Sequence, residues 1–205
     1  ANGVARRSKA KFVQGVAPEA QILNLKVYGG FSDESPNDVA RAIYDAVDLG
    51  ADVINMSLGI GVGNESLDDQ EQAAVKYATD HGVFVAVAGS NYGHAGSITT
   101  DYNEQSNSTI TTYEPANSGT ISDPAISPFA TTVGDENTKQ GDKSEMDSFS
   151  AWGPTPDFKL KPDVSAPGQQ IAVLDQNNHF TTNTGTSFAS PYIAGSVALL
   201  MQKFK

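Results

Sequence analysis

The chain contains no cysteine. That excludes a disulfide framework, a thiolate metal site and a cysteine nucleophile. It fits a bacterial surface or secreted protein without disulfides, and it fits a cytosolic one too. Basic residues are scarce: 13 Lys and Arg stand against 24 Asp and Glu, a net charge of −11. So acidic a chain repels nucleic-acid phosphates and anionic membranes, and neither is an expected partner. Solubility is the plain use of the charge. Long hydrophobic runs are missing as well, and none approaches the roughly 18 residues of a membrane span. No signal peptide opens the chain, and Ala1–Arg7 (ANGVARR) reads as loop. A mature or excised chain accounts for that as well as a cytosolic origin does. Histidine occurs only three times, and the HExxH pattern of a zinc protease is absent.

What remains suits one domain over residues 1–205, with an ordinary hydrophobic share of 39%. Strand and helix patterns alternate. Gln21–Tyr28 (QILNLKVY) reads as a strand. Ser35 and Pro36 are an N-cap and first helical residue, and Val39, Ile43, Ala46 and Val47 repeat at helical spacing up to Gly50, a C′ glycine. Asp52–Ser57 (DVINMS) is a short apolar strand. Ser66 with Asp69 resembles a capping box, opening a helix that ends at Gly82. Val83–Ala88 (VFVAVA) is apolar throughout, as a strand covered on both faces should be. Pro128–Val133 is a further strand. The order predicts an α/β fold with a mostly parallel sheet and helices on both faces. Sites in such sheets gather beyond the carboxyl ends of the strands, here at Leu58–Gly59 and at Gly89–Ser90–Asn91.

Residues 92–128 are rich in Thr, Ser, Asn and Gly without sustained periodicity. They read as a functional loop, a mobile one, or an insertion with short strands of its own. Asp135–Ser148 reads as a polar connector. From Thr186 to Phe204 small and apolar residues cover nearly the whole circumference of a helix, which predicts burial.

The strongest chemical signal heads that helix: Gly185–Thr186–Ser187–Phe188–Ala189–Ser190–Pro191. A serine there faces unpaired backbone N–H groups and the positive helix end, which favour developing negative charge. Small neighbours, Gly185 and Ala189, admit a substrate backbone. A plain N-cap is the simpler use of such a serine. Pro191 argues against it, because proline removes a donor from the second turn. The heptapeptide is not the G-x-S-x-G elbow, since Ala189 takes the second glycine's place.

GTSFASP resembles the nucleophile motif of the subtilisin-like serine proteases. Three more segments resemble that family in the same order: Val53–Gly59 (VINMSLG), Val83–Gly93 (VFVAVAGSNYG), and Phe149–Gly153 (FSAWG) through Lys161–Gly168 (KPDVSAPG). The last, with Gly15–Ala20 (GVAPEA), is most similar to cell-envelope proteinases and C5a peptidases of lactic acid bacteria and streptococci. The resemblance implies a three-layer subtilisin-like fold, of which 1–205 would be the C-terminal majority of one catalytic domain, and a secreted or cell-surface protein. It implies Ser187 as nucleophile and Asn91 as the oxyanion-hole amide. It also implies substrate binding along Ser57, Leu58, Gly59, Gly89, Ser90, Gly185 and Thr186, with an extended polypeptide added as a strand. Two departures stand out: Ser90 replaces the usual glycine before the asparagine, and Ile60 replaces a second glycine.

A serine triad needs a base and an orienting acid. His81 precedes Gly82 at a helix end, His94 follows Asn91 in the polar loop, and His179 lies in a turn. None has the family's His-Gly-x-His surroundings. The resemblance therefore implies that the partner Asp and His belong to an upstream segment absent from these residues. It further implies no protease-associated domain between 134 and 149. Asp68, Asp69 and Glu71 read as helix-start charges, not metal ligands. No cofactor is required; structural calcium is common in the family, and no ligands are assigned. A peptidase is the first reading, and a catalytically inactive peptide-binding module using the same cleft is the alternative.

Overall fold

Helix α1 (Pro36–Asp48) turns Val39, Ala40, Ile43 and Ala46 into the core, the face its spacing predicts. Gly50 ends it at φ +83°, a conformation a Cβ disfavours. The computed structural model describes residues 14–29, 36–59, 69–93, 98–103, 108–113, 121–137, 145–175, 177 and 179–204. Ser35 and Ser66 lie outside them. Helix α2 (Gln70–Asp80) is capped by Asp69 itself, whose carboxylate accepts from the N–H groups of Glu71 and Gln72. The capping box expected from Ser66 is thus replaced by an aspartate cap, equally able to fill the first orphan donors. The far end closes at His81 and Gly82, the latter at φ +79°.

Strands β1 (Val53–Met56), β2 (Phe84–Ala88), β5 (Thr131–Asn137) and β7 (Val164–Pro167) pair in parallel, and β6 (Glu145–Met146) joins β5 antiparallel. Val53 stands opposite Phe84 and Met56 opposite Val87, the parallel register expected of DVINMS and VFVAVA. Every residue of β2 after Phe84 is buried. Val85 and Val87 join the core built by α1, α2, β1 and residues 121–130. On the other face α3 (Thr186–Phe204) packs on the sheet, and its Ala189 joins Val133 and Ala166. Helices therefore cover both faces, giving the three layers of a subtilisin-like fold.

Four expectations are corrected. Residues 21–28 form no strand; Leu25 and Val27 lean on the core while Ile22 and Leu23 are about half exposed, at 56% and 49%. The pattern is that of a strand, but none of the described strands hydrogen-bonds to it, and a strand needs a neighbour. The strand expected over 128–133 begins at Thr131 and continues to Asn137, so residues read as the start of a polar connector lie in the sheet. Asp135 there is fully buried. Finally, α3 is buried only in its first half; Leu199, Leu200 and Phe204 in its second half are exposed.

Within 92–128 the structure holds an antiparallel hairpin, β3 (Ile98–Asn103) with β4 (Ser108–Tyr113). A second hairpin, β8 (Ile171–Leu174) with β9 (Phe180–Asn183), turns at His179 and leads into α3. No described helix is long and apolar enough to cross a membrane.

Candidate active site

Three chain segments meet at the carboxyl ends of β1 and β2 and at the head of α3. The first is Ser57–Gly59, just past β1. Ser57 Oγ donates to the Ser187 carbonyl at 2.7 Å, and Ser187 Oγ donates to the Ser57 carbonyl at 3.4 Å. A polar relay backs this contact: Ser190 Oγ donates to Asn55 Oδ1 at 2.8 Å, and Asn55 Nδ2 donates to Ser57 Oγ at 3.0 Å. Sequence reasoning assigned no role to Asn55 or Ser190. The signal was a lone amide inside an apolar strand, where a buried polar group demands a partner.

The second segment is the turn 89–93. Gly89 N donates to the Val133 carbonyl, Gly93 N to that of Phe149, and Ala151 N to that of Ser90. The FSAWG segment therefore clamps the turn from behind. Ser90 stands at φ +112°, in the region that favours glycine. Its N–H donates to Thr186 Oγ1 at 3.3 Å. The departure noted in the sequence is thus accommodated by backbone strain, and the turn is kept.

The third segment is Gly185–Ser187. Thr186 donates twice to Asn91 Oδ1, from its N–H at 2.9 Å and its hydroxyl at 3.1 Å. A backbone N–H can only donate, so the amide oxygen of Asn91 faces inward. Its Nδ2 is left for another acceptor, and Asn91 is exposed. Gly185, at φ +149°, has no side chain to intrude; a Cβ would lie 3.3 Å from Asn91 Nδ2. Pro191 sits inside α3 and is buried. Ser187, the next residue after Thr186, is half-buried.

The two described histidines are engaged elsewhere. His81 Nδ1 contacts the Tyr77 carbonyl at 2.8 Å and its ring stacks on Tyr77. His179 lies 3.6 Å from Asp175 at the β8–β9 turn. His94, Asp68 and Ile60 fall outside the described residues. Among the described residues no cluster of three or more His, Asp or Glu is arranged to hold a metal.

Beneath the site lies a group the sequence reading passed over. Asp135 Oδ1 accepts from Gly168 N at 2.7 Å, and Gly185 N donates to the Gly168 carbonyl at 3.1 Å. Asp135 Oδ2 is buried without a hydrogen-bond partner. Burial pushes the Asp135 carboxyl up to about 7; the bond from Gly168 lowers it, and the carboxylates of Asp147 and Glu136 raise it further.

A mostly parallel sheet under a helix with Ser187 in its first turn is a subtilisin-like arrangement. Known proteins agree: the Subtilase family profile matches residues 2–205, and the chain belongs to that family. The PI-type proteinase of Lactococcus lactis subsp. cremoris is 40% identical over 134 residues, which is 63% of this chain and 7% of that protein. Serine protease AprX of Bacillus subtilis (strain 168) is 31% identical over 219 residues, covering 93% of this chain and 44% of AprX. Subtilisin DY of Bacillus licheniformis is 30% identical across all of this chain and 62% of its own length. The chain thus spans less than two thirds of each of these relatives. Among solved structures, the S41 psychrophilic protease superposes with a TM-score of 0.69 at 30% identity, over 93% of this chain and 57% of that one.

Proposed function

We propose that the chain is part of a serine endopeptidase that cleaves extended polypeptides through an acyl-enzyme, with Ser187 as nucleophile. The observation that supports this reading is the double hydrogen bond from Thr186, the residue before Ser187, to Asn91 Oδ1, which leaves Asn91 Nδ2 free to donate elsewhere. In this reading Ser187 Oγ attacks the scissile carbonyl and the carbonyl oxygen becomes an oxyanion. Asn91 Nδ2 donates to that oxygen, and the positive head of α3 adds to the stabilisation. Collapse of the tetrahedral intermediate expels the amine, which takes up the proton that the base removed from the Ser187 hydroxyl, and leaves an ester on Ser187; water then releases the acid. Ser57, Leu58 and Gly59 bind the substrate backbone on one side, and Gly89, Ser90, Gly185 and Thr186 shape the other.

The base and its orienting acid come, in this proposal, from a segment outside these 205 residues that carries an Asp and a His. His81 and His179 already have other contacts. Residues 1–205 are then the C-terminal majority of one catalytic domain, with no protease-associated domain inserted between 134 and 149. We place the protein at the cell surface or outside the cell, without a required cofactor. The test is hydrolysis of a denatured polypeptide by the enzyme completed with the Asp- and His-bearing segment. Cleavage lost in Ser187→Ala supports the reading. Tight peptide binding without cleavage overturns it in favour of a peptide-binding module.

A further inference from the structure

The fully buried Asp135 carboxyl lies close to the segment that leads to Ser187 and has no part in the proposed catalytic steps. A short backbone chain links them: Gly168 N donates to Asp135 Oδ1 at 2.7 Å, Gly185 N donates to the Gly168 carbonyl at 3.1 Å, and Gly185 precedes Thr186 and Ser187. Contact is close on every side. A Cβ on Gly168 would sit 2.6 Å from Asp135 Oδ2 and 2.5 Å from the Gly185 carbonyl, so carboxyl and loop border the same small space. Ser150 Oγ accepts from Asp135 N at 2.8 Å, and Asp147 N donates to the Asp135 carbonyl at 3.0 Å, which fixes the strand that carries the group.

We propose that Asp135 is a positioning residue for the nucleophile, its carboxyl holding the linked Gly168 and Gly185 backbone under Ser187. Burial first, and then the charges around it, favour the protonated acid. On β5 its neighbour is Glu136, and from the segment after β6 comes Asp147, both acidic. β2 and β7 carry no titratable side chain. On α3 the titratable groups are Tyr192, which packs on Val133, and Lys203 in the last turn. Gln169 Nε2 is engaged by Asp147 Oδ1 at 3.2 Å. A second negative charge placed here meets burial and two like charges at once, and the group ionises only near pH 7. On ionisation the proton leaves to solvent; the charge strengthens the bond from Gly168 N, but the larger cost of burying it, with repulsion from Asp147 and Glu136, draws water to the carboxylate. The nucleophile loop then loosens from below.

The catalytic half of this inference rests on the serine-peptidase reading; the structural half does not. The test compares wild type with Asp135→Asn, which mimics the neutral acid, and Asp135→Ala, which removes the acceptor for Gly168 N. Two quantities are measured across the range from about pH 5 to 9, bracketing the Asp135 titration: kcat of the completed enzyme, and amide hydrogen exchange at Gly168 and Gly185. In wild type, kcat carries a descending alkaline limb with its midpoint near 7. Asp135→Asn removes that limb and leaves the ascending limb of the base in place. Asp135→Ala lowers kcat about tenfold or more at every pH with KM nearly unchanged, the signature of a misplaced reacting group. Exchange at the two glycines rises in Asp135→Ala, and rises in wild type relative to Asp135→Asn above the midpoint. An alkaline limb kept in Asp135→Asn overturns the proposal, as does exchange that is the same in wild type and Asp135→Asn throughout. If no variant cleaves peptide but the exchange pattern holds, the positioning of the loop stands and the peptidase reading falls. The wild type against Asp135→Asn comparison decides the matter even if Asp135→Ala fails to fold.

Discussion

Thr186 and Asn91, 95 residues apart, are tied by two hydrogen bonds that end on one atom, the Asn91 amide oxygen. The tie joins the turn after β2 to the head of α3. It fixes the place and the orientation of the Asn91 amide, and in the proposed reading such preorganisation is what makes Asn91 an effective oxyanion donor.

Replacing Asn91 by Ala should therefore lower kcat of the completed enzyme by about two to three orders of magnitude and leave KM within a few-fold; that magnitude is taken from subtilisin, a member of the same family. Steady-state kinetics on a peptide substrate check it. A variant within about threefold of wild type would remove Asn91 from the oxyanion hole.

Ser90 is held at φ +112°. Backbone strain of this kind costs on the order of 1–3 kcal/mol, and glycine relieves it while adding some unfolded-state entropy. Ser90→Gly should raise stability by about 1 kcal/mol and the melting temperature by a few degrees. A denaturation midpoint below that of wild type would show that the serine side chain compensates for its backbone.

Asp135 makes stability depend on pH in a defined direction. Its carboxyl titrates near 7 in the folded chain and near 3.8 when unfolded. Between those values the folded state holds a proton that the unfolded state has released, so stability falls as pH rises across that window. The contribution is fully present below 3.8 and is gone once pH has passed 7. An Asp135→Asn chain lacks this slope. Its advantage over wild type should grow by a few kcal/mol from about pH 4 to pH 7 and then level off. Urea titrations at several pH values measure it, and a constant gap would contradict the burial of an acid.

Much of this architecture was legible in local pattern. VFVAVA reads as a two-faced strand and is one, because continuous apolar runs have few other homes in an α/β sheet. Gly50 and Gly82 mark the helix ends they occupy, since each needs positive φ. That Asn91 and the Ser187 segment share one site was expected only through the family resemblance, and the bond from Thr186 to Asn91 was not foreseen, since periodicity says nothing about residues 95 positions apart. Residues 21–28 carry a strand's pattern without forming one, because a strand exists by its neighbour. Asp135 was hidden for a different reason. Acidic and charged residues follow it, and composition alone assigns such a stretch to solvent. Its burial comes from strand β7 and the Gly168 turn, which close over it from 33 residues away.

The central claim is that Ser187 becomes a nucleophile when an Asp and a His from outside these residues join it. The most direct measurement is labelling of Ser187 by a fluorophosphonate probe, read by mass spectrometry. The 205-residue chain alone should stay unlabelled, since a serine hydroxyl without a base is a poor nucleophile at neutral pH. The same chain completed with the Asp- and His-bearing segment should label at Ser187 and nowhere else, and Ser187→Ala should abolish the signal. A folded, completed protein whose Ser187 remains unlabelled would contradict the account.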